Sequence, residues 1–197
     1  MIGNLLVHFI WNAIIAAGFI SCVALAARIW FHFPDRTKDD VVDFLVHIDL
    51  EKAETLLDPI AENSLRRTLS PAEFRILQRK RIHLYIEFLQ RMSHNAAILV
   101  QWGNLEAQRS HERTAQLAHE LQQEAVKVRA YSLLALMKLR FWLLIRLGSW
   151  YMLPTPSLSE LRGIYGIEGL DAYDRLKTVA SSLFVGHEKF EELLQNL

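Results

Sequence analysis

The sequence is short of several things, and each shortage excludes something. Cys22 is the only cysteine, so no internal disulfide and no multi-cysteine metal site can form. Five prolines and eight glycines in 197 residues are too few for a collagen-like or disordered chain, and 51% hydrophobic with 22% charged residues is a globular composition. The formal net charge is zero, without the basic excess that marks a nucleic-acid-binding domain, so nucleic acid is not expected as a partner. No stretch alternates apolar and polar residues with period two, so strands are not expected. Internal repeats and low-complexity runs are missing as well.

Reaction motifs are also lacking. A helical metal site needs ligands three or four residues apart, yet none of the eight histidines has another four residues away or a glutamate three residues before it. His111-Glu112, His119-Glu120 and the His83/Glu87 pair come nearest, and all read as solvated helix faces. The one cysteine lies in an apolar run, there is no Gly-x-Ser-x-Gly, and residues 163–169 share only their glycine content with a phosphate loop. The sequence therefore specifies no catalytic residue, metal or cofactor.

The largest shortage is of charge. Leu5–Ala27 is 23 residues without Asp, Glu, Lys or Arg. At about 1.5 Å per residue a helix there covers roughly 34 Å, enough for a hydrocarbon core of about 30 Å. The stretch reads as one transmembrane anchor within residues 1–33. Ala24-Leu25-Ala26 resembles a signal-peptidase box, but no Lys or Arg precedes the apolar run and the run is longer than a signal core. Arg28, Arg36 and Lys38 follow it closely, which by the retention of cations on the cytoplasmic side puts the N-terminus outside and residues 34–197 in the cytoplasm, as in a bacterial inner membrane.

Ala13, Ala17 and Ser21 recur every four residues in the anchor, as do Gly18, Cys22 and Ala26, a spacing that lets a second helix approach closely. His8 and Asn12 form a polar pair one turn apart, which also favours a partner. His8 could in addition hold a haem or pigment within a complex, although a water-reached histidine is the plainer reading.

The remaining chain reads as an all-α bundle. Residues 38–57 carry apolar side chains at three- and four-residue spacing between acids and are read as one amphipathic helix closed by Asp58-Pro59. Ser70-Pro71-Ala72-Glu73 is a capping box, opening a helix that can run to Trp102. Gly103-Asn104 marks a break, and a second long helix follows, so residues 70–153 are expected to form a long antiparallel hairpin with a polar tip around residues 103–116. Ser157-Leu158-Ser159-Glu160 is read as a second capping box, Leu170–Phe184 as a substantial helix and His187–Leu194 as a small one.

Two segments carry functional weight. Residues 35–62 hold nine acidic and three basic side chains, and residues 63–103 hold seven basic and two acidic ones. The simplest reading is that two oppositely charged helices pack together. The basic patch Arg66, Arg67, Arg75, Arg79, Lys80 and Arg81 is then a solvated, partly paired face, with contact to anionic lipid as the functional alternative. Residues 131–153 are apolar enough to suggest a second span, but Lys138, Arg140 and Arg146 oppose one. A buried central helix is expected, with a helix lying on the membrane surface as the alternative. The functional expectation is a membrane-anchored binding, scaffolding or accessory subunit with a protein partner or a second copy of itself; the alternative is a membrane-associated enzyme with an unfamiliar helical site.

Overall fold

The structure is a computed structural model that describes residues 40–109, 112–147, 157–162, 167–185 and 189–197. The described residues are all-α, in the order α1 (Asp40–Phe44), α2 (Leu50–Leu56), α3 (Pro59–Thr68), α4 (Pro71–Arg109), α5 (Glu112–Leu147), α6 (Ser159–Leu161), α7 (Ile167–Phe184) and α8 (Phe190–Asn196). The anchor expected over Leu5–Ala27 lies outside them. Among the described residues no helix is long and apolar enough to cross a membrane.

The long antiparallel hairpin of α4 and α5 is the frame. Its first helix starts where the capping box requires: the Glu73 carboxylate accepts from the Ser70 amide at 3.0 Å, and the Glu73 amide donates back to Ser70 Oγ at 3.4 Å. This partnership with Ser70 holds the Glu73 carboxyl below its ordinary pKa. Gly103 does not end the helix. It sits inside α4 where α5 comes closest, and a Cβ there would stand 3.1 Å from Gln122 Cγ and 3.2 Å from the Ala118 carbonyl oxygen. Missing side-chain volume, not backbone freedom, is the use of this glycine; α4 runs on to Arg109 and α5 begins at Glu112.

The segment 38–57 is two short helices, not one. Between α1 and α2 the chain leaves the helical path, and Asn95 of α4 supplies the hydrogen bonds that a helix would have made: its Oδ1 accepts from the Val46 amide at 2.9 Å and its Nδ2 donates to the Val46 carbonyl at 2.8 Å. Asp58-Pro59 also opens a helix rather than closing one. The Asp58 carboxylate accepts from the Ile60 and Ala61 amides at 2.9 and 3.2 Å, with Pro59 at the first position of α3. The expected capping box at Ser157 does not form. Ser157 Oγ bonds Ser159 Oγ, and the Ser159 amide instead donates to Glu62 Oε2 at 3.2 Å.

Two apolar clusters fill the bundle. The larger joins Val42 and Leu45, Leu99 and Trp102 of α4, Leu121 and Val128 of α5, and Tyr173, Leu176 and Phe184 of α7. Trp102 and Phe184 stack with ring centroids 4.3 Å apart. The smaller joins Leu57, Tyr85 and Leu89 to Leu136 and Leu139 of α5 and to Leu158 and Leu161. Of the expected buried helix 131–153, residues 148–153 lie outside the described residues, and over 131–143 the helix is only half-buried: Ala135, Leu136 and Leu139 face the core, whereas Leu134, Met137 and Phe141 are exposed.

Candidate functional site

Two of the buried polar side chains, Asn95 and Glu124, tie helices of the bundle together. Asn95 is fully buried and donates to both the Val46 carbonyl and, at 2.8 Å, to Tyr173 Oη, so one amide ties the α1–α2 joint, α4 and α7 together. Burial raises the pKa of the Tyr173 phenol, which stays neutral. Between α5 and α7, Glu124 accepts from Lys127 at 2.6 Å and Arg175 at 3.3 Å. Burial pushes the Glu124 carboxyl up, but these two cations outweigh it and hold the group below the usual carboxylate range.

The predicted basic patch is divided by the fold. Arg81 is buried; its guanidinium donates to the Leu56 carbonyl at 2.7 Å and to Gln78 at 3.4 Å, and burial lowers its pKa against the opposing pull of Glu62 and Asp58. Arg66 lies 3.7 Å from Glu62 and 5.2 Å over the Phe74 ring. Arg67, Arg75, Arg79 and Lys80 are exposed. Arg81 is thus the residue through which the acidic segment and the basic start of α4 meet, and the six cations do not form one surface.

The described histidines with resolved bonds are fastened to backbone carbonyls: His47 to Gln195 at 2.5 Å, His83 to Arg79 at 2.7 Å and His94 to Phe44 at 3.3 Å. His119 is exposed. A shallow cleft of about 240 Å³ is lined by Glu51, Glu54, Thr55, Asp58 and Arg162. No group of three or more His, Cys, Asp or Glu side chains among the described residues is arranged to hold a metal ion. His8, Asn12, Ala13, Ala17, Gly18, Ser21, Cys22 and Ala26 all lie outside the described residues.

The feature that stands apart is the outward face of α5. Val126, Leu134, Met137 and Phe141 are 41, 41, 37 and 56% exposed, with Ala130 exposed between them. At about 100° per residue these positions lie on the side of the helix opposite Leu121, Val128 and Leu139. Lys138 and Arg140, half-buried, are two residues apart and so stand on the two flanks of this stripe. The Lys138 ammonium lies 5.0 Å over the Trp142 ring. The stripe is hard to see in the sequence because residues 131–147 are apolar on nearly all sides, and periodicity cannot tell which of two apolar faces is covered. Flanking cations two residues apart were the available signal.

Comparison with known proteins adds nothing to this geometry: no family model, curated protein or solved structure matches the chain.

Proposed function

We propose that this protein is a membrane-anchored binding, scaffolding or accessory subunit without catalytic activity of its own. Residues 1–33 supply a single transmembrane anchor, and residues 34–197 form the cytoplasmic helical domain. The observation that carries the reading is the exposed apolar stripe of α5, a surface of the kind that marks contact with a protein or a membrane and not a reaction site. The uncharged run Leu5–Ala27 supports the membrane location. Small residues at four-residue spacing there, together with His8 and Asn12, fit packing against a second membrane helix.

Blue-native electrophoresis after mild solubilisation, with cross-linking in native membranes beforehand, tests the proposal. A defined complex or homo-oligomer is the expected result. A strictly monomeric chain with no co-purifying protein in any condition overturns it. Ala17→Leu with Gly18→Leu is expected to weaken the association; an unchanged complex leaves residues 5–27 as a plain tether.

A further inference from the structure

We infer that the outward face of α5 is a docking surface for an anionic lipid bilayer, on which the helix lies in the plane of the membrane. The inference rests on the membrane-anchored reading above and names the second surface that the domain touches. Four large apolar side chains, Val126, Leu134, Met137 and Phe141, project from one side of a single helix over 15 residue steps, about 22 Å at the α-helical rise. Water does not favour so long an apolar row, and no described element of the fold covers it.

Charge selects the occupant. From Ala125 to Ser159 the sequence has no Asp or Glu, while Lys127, Arg129, Lys138, Arg140 and Arg146 fall in the same interval. Lys127 is engaged by Glu124, and Arg129 is buried. Lys138 and Arg140 remain on the rims of the stripe, one on each side. An apolar stripe bordered on both sides by long cationic side chains matches a bilayer interface: the row enters the acyl boundary, and the stems of Lys138 and Arg140 reach back to lipid phosphates. A protein partner would need a complementary acidic rim on both edges of an apolar groove, whereas an anionic leaflet presents that combination at every point. Two of the three cations that argue against membrane crossing, Lys138 and Arg140, are placed for lying on the surface.

The full chain, in a Cys22→Ala background, is reconstituted into phosphatidylcholine vesicles with or without phosphatidylglycerol. An environment-sensitive fluorophore is attached at Met137→Cys, with Gln90→Cys on the outward side of α4 as the control. With phosphatidylglycerol, emission at position 137 is expected to shift to the blue and to be quenched by lipid-borne nitroxides, while position 90 stays water-like. High salt, or Lys138→Gln with Arg140→Gln, is expected to reverse this, lowering the docked-to-undocked ratio by about 30-fold for the loss of two near-surface cations. The salt arm keeps the native side chains, so it tests the inference even if the double variant is poorly folded. A chain that floats with both vesicles while position 137 stays water-like overturns the inference and leaves the anchor intact. A chain that floats with neither overturns both. Shielding at position 137 that is the same in neutral vesicles and in high salt means cover by protein, and overturns the inference.

Discussion

The helices α4 and α5 have 39 and 36 residues and share one inner seam, yet their outward faces differ most where α5 runs from Val126 to Phe141. On α4 the outward positions Lys80, His83, Glu87, Gln90 and His94 are polar and exposed, with Glu87 paired with Arg91, and the exposed Ile76 and Leu84 interrupt this face near its start. Water completes most of that face. On α5 the outward positions are polar and exposed at Glu112, Gln116, His119 and Gln123, and then apolar from Val126 through Ala130, Leu134 and Met137 to Phe141. A hairpin folded only for its own stability would have polar residues on both outer faces. The proposed docking of α5 rests on this difference.

The same contrast exists within α5 itself, between an inner apolar face that holds the fold and an outer one that does not, and substitutions can separate them. The largest effect is expected from Leu139→Ala on the inner face. Leu139 is fully buried in the smaller cluster, and its truncation should cost about 3 kcal/mol in denaturant unfolding, with an unchanged dependence on denaturant concentration. Next comes Asn95→Ala, expected to cost about 2 kcal/mol in the same measurement, because the buried Tyr173 hydroxyl and the part-buried Val46 amide and carbonyl all lose a partner. A cost as small as that of a surface substitution would show that the α1–α2 joint holds without Asn95.

Glu124 is expected to matter less and to betray itself by pH. Its pKa is lower in the folded protein than in the unfolded chain, so its contribution is fully present above the ordinary carboxylate range and is lost as pH falls through the lowered value. Its partners Lys127 and Arg175 are more than half exposed, which limits the effect to under about 1 kcal/mol. The stability difference between the native protein and Glu124→Gln should therefore shrink on acidification from neutral pH; a constant difference would contradict the assignment. The smallest effect belongs to the outer face. Phe141→Ser should leave unfolding within about 0.5 kcal/mol of the native protein, since the ring is 56% exposed. A loss comparable to that of Leu139→Ala would mean that the outer face is a second core, and would erase the contrast.

The parts legible in the sequence are those governed by local chemistry. The Ser70/Glu73 box could be read because its donors and acceptors lie within four residues of one another. The apolar residues Leu176, Val179, Ala180 and Phe184 announced α7 because a core stripe repeats at helical spacing. Asp58-Pro59 carries a local signal too, an N-cap followed by proline at the first helical position, but the same pair also fits the end of a preceding helix, which hides α3.

The sequence by itself determined an all-α chain, a long hairpin, an uncharged run at residues 5–27 and an acid-free, cation-bearing stretch after Glu124. Those properties follow from spacing and composition along the chain. Only the tertiary structure decided where the helices stop and which faces are covered. The joint after Phe44 depends on Asn95, 49 residues from Val46; the Ser159 amide finds its acceptor on Glu62, 97 residues away; and Gly103 stays helical because α5 passes within reach of it. Hydrogen bonds and close approach between distant segments leave no local periodicity. For the same reason two apolar faces of α5 look alike in the sequence, and only the packing of α4 and α7 separates the one that builds the core from the one that remains open.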